Sequence, residues 1–144
     1  MFFNTYSEGM AACLAGTGKI DGAYVFYTTK EPLTLQRDLE ASTITTTHCT
    51  ESHGILRTKG VVCSGVSDTQ LSFTLTSKGG EELSRTSPLF SAGVSIYAIA
   101  LAVTGNTSNK DILLLSTTIA DLPKVPAGAD IAFTMTLDLG NGGN

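Results

Sequence analysis

Residues 131–139 read Ile-Ala-Phe-Thr-Met-Thr-Leu-Asp-Leu, with a large apolar residue at every odd position. Successive side chains of a β-strand point to opposite faces, so this alternation predicts a strand with one face in a hydrophobic core and the other in water. Residues 71–76, Leu-Ser-Phe-Thr-Leu-Thr, show the same pattern with hydroxyl side chains at the even positions. Together the two segments predict an antiparallel sheet that has one solvated face.

Two further segments predict strands that are buried on both faces. Residues 22–29 are rich in aromatic and β-branched side chains and open at the turn-forming pair Asp21-Gly22, which favours a first strand there. Residues 111–118 contain four consecutive large apolar residues, a run that is too short for a typical helix. We interpret residues 111–118 as a central strand.

The longest predicted strand covers residues 94–104, and its two faces differ in size. One face carries large side chains and the other only methyl groups: Tyr97, Ile99, Leu101 and Val103 against Ala98, Ala100 and Ala102. Protein interiors are close-packed, so a face made only of alanine predicts that another part of the chain approaches it very closely.

The middle of the chain carries two shorter β segments, residues 55–58 and 61–66, separated by Lys59-Gly60. A two-residue connection that contains glycine is typical of a β-hairpin, so we expect the two segments to pair with each other. Within residues 33–51, residues 33–35 are compatible with a short strand and residues 41–50 are mostly Ser and Thr, and we interpret the whole stretch as a long, ordered surface loop.

A single helix is predicted near the start of the chain. Between Asn4 and Leu14 apolar residues recur at spacings of three and four, and Gly16 stands where a glycine commonly ends a helix. The predicted fold is therefore mainly β: an antiparallel β-sandwich or jelly-roll-like domain with one short N-terminal helix. We divide the chain into an N-terminal helical segment at residues 1–20, a β-sandwich domain at 21–140 and a flexible tail at 141–144.

The composition indicates one domain with few charges. The chain has 144 residues, of which 42% are hydrophobic and 15% charged, with a net charge of -4. Disorder requires few apolar residues and nucleic-acid binding requires a basic face, so both classes are excluded. No apolar run approaches a membrane span and no signal peptide is recognised, so we expect neither a membrane partner nor secretion. The three cysteines, an odd number, favour reduced thiols.

Residues 15–20, Ala-Gly-Thr-Gly-Lys-Ile, share glycines and a lysine with phosphate-binding loops. Such a loop follows a strand and opens a helix, whereas here the predicted helix comes first and a predicted strand follows. We therefore interpret this segment as the end of the helix and a turn.

Both histidines of the chain fall in one segment, His48-Cys49-Thr50-Glu51-Ser52-His53. His48, Cys49 and His53 are of the types that bind zinc, but their spacing matches no zinc motif and no second ligand pair accompanies them. We expect no metal, no cofactor and no catalytic residue. A small metal-dependent hydrolase, or a Cys/His hydrolase that uses Cys49 or Cys63, remains an alternative.

Another alternative is a carbohydrate- or host-receptor-binding β-sandwich module. In such a module Tyr24, Tyr27 or Tyr97 would stack on the ligand. This function requires the tyrosine rings to be exposed.

The order of these elements is similar to that of small β-rich virion structural proteins of tailed bacteriophages. That group includes tail-fibre attachment, adaptor, baseplate and capsid-decoration proteins. The likeness starts with the short helix, the strand after it and the Ser/Thr-alternating strand. It is strongest over three C-terminal segments: residues 94–101, 111–116 and 125–137.

The resemblance implies a non-enzymatic virion subunit that is made in the host cytoplasm and has no catalytic residues. Its expected partners are copies of itself, with a trimer favoured, and other virion structural proteins, but neither nucleic acid nor membrane. The low charge agrees with this expectation, because charges in the core of an interface must be desolvated at a cost of several kcal/mol per ion.

Overall fold

The structure is a computed structural model that describes residues 1–28, 34–44, 53–77, 94–106, 110–119, 124–125 and 131–140. It confirms the predicted class: the chain is mainly β, its sheets are antiparallel, and one α-helix lies near the N-terminus. The elements are, in chain order, α1 (Tyr6–Leu14), β1 (Gly18–Thr28), a 3₁₀ helix (Ala41–Thr43), β2 (His53–Lys59), β3 (Val62–Ser67), β4 (Gln70–Ser77), β5 (Val94–Gly105), β6 (Asp111–Thr118), β7 (Lys124–Val125) and β8 (Ile131–Asp138).

The strands form two sheets that face each other. The first sheet has the order β2-β1-β5-β6, with β7 also paired to β5, and the second has the order β3-β4-β8. Val25 and Leu101 of the first sheet lie in one hydrophobic cluster with Phe73 and Leu75 of the second. All four side chains are at most 1% exposed. The two sheets therefore pack as a sandwich around a shared core.

The end of α1 agrees with the turn predicted from the sequence. The N–H of Gly16, whose φ is 74°, donates to the carbonyl of Cys13, and the N–H of Thr17 donates to the carbonyl of Ala12. These two bonds form a Schellman motif, which ends a helix at a left-handed glycine. The segment after α1 is thus a turn into β1 and not a phosphate loop. Among the described residues, no helix combines the length and apolar character needed to cross a membrane.

The first strand is longer than predicted. β1 begins at Gly18 rather than at Gly22, because residues 18–20 pair with the end of β5 before a bulge between Ile20 and Gly22. The predicted burial on both faces is confirmed, since residues 23–26 are at most 3% exposed.

The expected hairpin between the two mid-chain segments is wrong. β2 pairs with β1 in the first sheet, whereas β3 pairs with β4 in the second. Gly60 adopts a left-handed φ of 76° between them, and its N–H donates to the carbonyl of Asp21 at 2.7 Å. Val61 then enters the core between the sheets. The glycine that suggested a hairpin therefore turns the chain from one sheet to the other.

Close packing on the alanine face of β5 is confirmed. Ala98, Ala100 and Ala102 are at most 2% exposed. They lie beneath a layer of larger side chains that includes Phe3, Tyr24, Phe26, Leu39, Ile44 and Leu113.

Two predictions about this face need correction. Tyr97 lies with the alanines rather than with Ile99, because a register shift opposite Phe26 and Tyr27 makes it the extra residue of a β-bulge. Residues 34–44 are not simply a surface loop, since Leu39 and Ile44 are buried on the alanine side of the sheet. The rest of the predicted loop and the predicted tail at 141–144 lie outside the described residues.

β6 is the last strand of the first sheet and not a central one, although its burial on both faces is confirmed by Leu113 and Leu114. The first residues of the chain cover part of its outer edge. Phe2 forms a β-bridge with Leu115, and the N–H of Ser116 donates to the carbonyl of Met1 at 2.8 Å. Leu114 packs into the core between the sheets and Leu113 into the cluster on the alanine side, so this end strand has the apolar sequence of a central one.

The substitution Ala100→Leu is expected to destabilise the fold by about 1–3 kcal/mol, because it inserts three carbon atoms into a layer with no free space. Ala11→Leu makes the same change at an exposed position of α1 and is the matched control. Urea unfolding followed by circular dichroism measures both. Equal unfolding free energies for the two variants would contradict the close packing of this face.

Candidate functional site

Both sheets end on the same side of the sandwich, the first at β6 and the second at β8. A cleft of about 340 Å³ lies between these strands. Its lining includes Phe2 and Leu115 on the side of the first sheet and Thr134, Thr136 and Leu137 of β8. As far as the described residues go, the sandwich is therefore open along this side.

β8 borders the cleft with a long and regular edge. It pairs with β4 at all eight of its positions without a register shift, and no described strand pairs with its other edge. Its sequence contains no lysine, arginine or proline, and Asp138 at its end is its single charged residue. Natural sheets usually protect an edge with lysine, proline, bulges or a covering segment. Within the described part of the chain, β8 has none of these.

The other end strands are better protected. The edge of β6 is partly covered by residues 1–3. β2 includes a lysine, Lys59, in its sequence. All six residues of β3 are exposed, but its pairing with β4 shifts between Gly65 and Ser67, which makes Val66 a bulge. β8 is thus the edge best suited to pairing with another chain.

The outer face of the second sheet carries hydroxyl groups, and Asp138 at the end of β8 is the single charged residue in the sequences of β3, β4 and β8. Thr74 and Thr134 lie opposite each other with their Oγ1 atoms 3.4 Å apart, and Ser72 lies opposite Thr136. Thr74, Thr134 and Thr136 are exposed. This face confirms the alternation predicted for both strands, with Phe73 and Met135 buried on the inner side.

A buried ion pair joins the two ends of the first sheet. Arg57 of β2 donates through Nε to Oδ2 of Asp111 at 2.8 Å and through Nη2 to Oδ1 at 3.1 Å. Tyr24 donates its hydroxyl to Oδ2 at 2.6 Å, and Thr104 donates to Oδ1 at 3.0 Å. The side chains of Arg57 and Asp111 are only 8% and 15% exposed. Neither residue carries a signal in the sequence that singles it out.

Small residues on the intervening strands open the path for Arg57. A Cβ atom at Gly22 of β1 would overlap the guanidinium group. Ala102, which pairs with Gly22 on β5, adds only a methyl group on this side. The guanidinium carbon lies 5.4 Å from the centre of the Tyr24 ring, which adds a cation–π contact.

The ionisation of this cluster follows from its contacts. Burial alone would raise the pKa of Asp111, but the hydrogen bonds from Arg57, Tyr24 and Thr104 outweigh burial and lower it. Burial alone would lower the pKa of Arg57, but the hydrogen bonds to Asp111 and its charge raise it. The Tyr24 pKa rises because the ring is buried and its hydroxyl bonds to Asp111. All three groups therefore keep their ordinary ionisation state at neutral pH.

The cluster is built for structure rather than for catalysis. Both oxygens of Asp111 already accept two hydrogen bonds each, so the carboxylate has no position left for a substrate proton. The cluster fixes β1, β2, β5 and β6 relative to one another.

The residues singled out in the sequence are not brought together into a site. His48 and Cys49 lie outside the described residues, and the backbone of His53 pairs with Thr28 at the start of β2. Cys63 is exposed on β3 in the other sheet. Among the described residues, no group of three or more His, Cys, Asp or Glu side chains could hold a metal ion.

The tyrosines proposed for ligand stacking are largely buried. Tyr24 and Tyr97 are 3% and 2% exposed, so neither ring has a free face. Tyr27 is half-buried and packs against the core between the sheets. A buried ring offers no face for stacking, so these positions disfavour a carbohydrate-binding site built on these tyrosines.

No family model matches the chain, and no curated protein or solved structure is significantly similar to it. Its function therefore has to be inferred from its own residues and surfaces.

The substitution Arg57→Met is expected to destabilise the fold by about 3–5 kcal/mol, because it leaves the Asp111 carboxylate buried without its cation. The double variant Arg57→Met with Asp111→Leu should lose clearly less than the sum of the two single changes. The exposed pair Lys19–Asp21, at 3.3 Å, provides the control: Lys19→Met should cost less than about 1 kcal/mol. Additive effects at Arg57 and Asp111 in urea unfolding would contradict the coupling.

Acid should weaken the fold through Asp111. Its pKa is lower in the folded chain than in the unfolded one, so its stabilising effect is complete above the unfolded value of about 3.9. The effect is lost as the pH falls from there through the folded pKa. Asp111→Asn should flatten the decline of the unfolding free energy below about pH 4. Asp68→Asn, in the exposed β3–β4 turn, is the control, and an unchanged decline in Asp111→Asn would contradict this prediction.

Proposed function

We propose that this protein is a non-enzymatic structural subunit that assembles with copies of itself and with neighbouring subunits of a tailed-bacteriophage virion. Its place there would be that of a tail, fibre or baseplate adaptor or of a capsid cement protein. The observation that carries the assembly function is the regular edge of β8, which no described strand pairs with, beside the cleft between the sheets. A free strand edge offers a row of N–H and C=O groups that another chain can pair with.

The surface around this edge supports assembly. No charged residue occurs at positions 71–76 or 131–137, so a partner that covers this face desolvates hydroxyl groups rather than ions. Leu139, just beyond β8, is 49% exposed, so a partner that pairs with β8 can also cover an apolar side chain at the end of the strand.

The virion part of the proposal is supported by the resemblance of the C-terminal segments. Residues 94–101, 111–116 and 131–137 of those segments correspond to parts of β5, β6 and β8. In the first sheet β5 is a central strand and β6 an end strand, and β8 is an end strand of the second. The enzyme alternative rests on His48, Cys49 and His53; His48 and Cys49 lie outside the described residues, so it stays a prediction.

Assembly is tested by light scattering after size-exclusion chromatography of the purified chain over a wide concentration range. We expect a mass of two or more times 15.0 kDa. A strict monomer at every concentration would contradict assembly with itself.

The virion assignment has a separate test. Mass spectrometry of purified particles, produced by the phage or prophage whose genome encodes this chain, should detect it in a fixed ratio to the major capsid or tail subunit. Its absence from intact particles, together with its presence in the infected-cell lysate, would contradict a place in the virion.

A further inference from the structure

We propose that two copies of this chain pair through the free edges of β8, antiparallel and around a two-fold axis at Met135. The pairing joins the two second sheets into one of six strands. This inference rests on the proposed assembly function and specifies its partner, its strand and its register.

The apolar faces of the two β8 strands must lie on the same side of the joined sheet, and this requirement limits the possible registers. Residues directly opposite each other in an antiparallel pair point to the same side of the sheet. The buried side chains of β8 are at odd positions, so the apolar faces of both copies coincide only when odd positions lie opposite odd positions. A two-fold axis that passes through a residue satisfies this condition.

With the axis at Met135, the odd-numbered apolar side chains of one β8 lie opposite those of the other along the strand. Phe133 lies opposite Leu137 of the second copy, and Met135 lies opposite itself. Phe133 and Leu137 are half-buried in one copy, and both pack against the core between the sheets. Leu137 also lines the cleft, so Phe133 of the second copy would come next to the cleft opening.

The even-numbered side chains of β8, on the outer face of the sheet, also lie opposite compatible partners in this register. Thr134 lies opposite Thr136 of the second copy, which repeats across the axis the hydroxyl pairing seen between Thr134 and Thr74. Asp138 lies opposite Ala132 of the second copy, so no two like charges meet in β8. The register therefore contains no electrostatic penalty within the strand.

Leu139 distinguishes this register from the neighbouring one. With the axis at Met135, Leu139, in the turn just beyond β8, lies next to position 131 of the second copy. With the axis at Thr134, Leu139 would lie beyond the paired positions of β8. With the axis at Thr136, only five of the eight positions of β8 would pair, so the axis at Met135 combines the longer pairing with cover for this exposed leucine.

Cysteine cross-linking tests the register directly. The background carries Cys13→Ala, Cys49→Ala and Cys63→Ser, and each further variant is checked for native circular dichroism. Thr134→Cys and Thr136→Cys are placed in it separately, at exposed positions. An equimolar mixture of the two, oxidised after equilibration, should give about half of the protein as a disulfide-linked dimer, because each mixed pair brings the two introduced thiols opposite each other once.

Each variant alone is the control and should give little cross-link. A dimer from Thr134→Cys alone would move the axis to Thr134 and overturn the proposed register. If light scattering shows an oligomer and no sample cross-links, the chain assembles through another surface. The β8 pairing is then wrong, while the proposed function stands.

A second pair of variants tests the edge without cysteines. Thr134→Lys with Thr136→Lys sets lysine opposite lysine across the axis, and the dissociation constant should rise about tenfold or more. Ser72→Lys with Thr74→Lys adds the same charge in the same two rows on the central strand β4, and should leave the dissociation constant unchanged. Equal effects of the two double variants would overturn the proposed edge.

The measured mass separates the two proposals. A dimer supports the two-fold pairing. A trimer, which the sequence resemblance favours, would overturn the pairing because three copies need a head-to-tail contact, yet it would support assembly. A monomer would overturn both.

Discussion

The close approach made possible by small residues on β1 and β5 is the constraint on which the rest of the structure depends. Gly22 leaves the space that the Arg57 guanidinium occupies on its way to Asp111. Ala98, Ala100 and Ala102 leave the space into which Phe3 and the segment at 34–44 pack. The outer face of the first sheet is thereby closed by an ion pair at one end and by apolar side chains along the rest.

The first sheet is covered more completely than the second, so the surface left uncovered by described residues belongs mainly to the second sheet. The first sheet is covered on one face by the second sheet, on the other by Leu39 and Ile44, and on part of its β6 edge by residues 1–3. The second sheet has three strands and is covered by described elements on its inner face alone. Its outer hydroxyl groups can remain in water at little cost, whereas a free row of backbone groups beside an apolar cleft gains from a partner.

The sequence predicts the individual strands of this fold better than their partners. Alternation at 71–76 and 131–137 correctly identifies which side chains are buried, because that signal depends only on the strand itself. The crossing at Gly60 resembles a hairpin, because a tight turn has the same local signature whether the next strand joins the same sheet or the opposite one. The prediction for Tyr97 places it on the wrong face because a bulge leaves no mark in a single sequence.

The candidate site is harder to foresee, for a similar reason. Arg57 and Asp111 are 54 positions apart and sit in strands at opposite ends of the sheet, so no spacing rule connects them. The one available signal is the combination of Gly22 with an all-alanine face, which indicates close approach but not that a charged side chain uses it. The open edge of β8 depends on strand order, which alternation does not contain.

Two-fold pairing at β8 also explains how assembly through a strand edge can stop. An edge that pairs head to tail with another leaves a new free edge and continues into a fibre. In the proposed pair each β8 pairs with the edge of the other β8, and the outermost strands of the joined sheet are the β3 strands of the two copies. The bulge at Val66 interrupts that edge, so a further sheet-extending contact is disfavoured. A further partner of such a pair could meet the outer face of the six-stranded sheet, where Thr74, Thr134 and Thr136 of each copy are exposed.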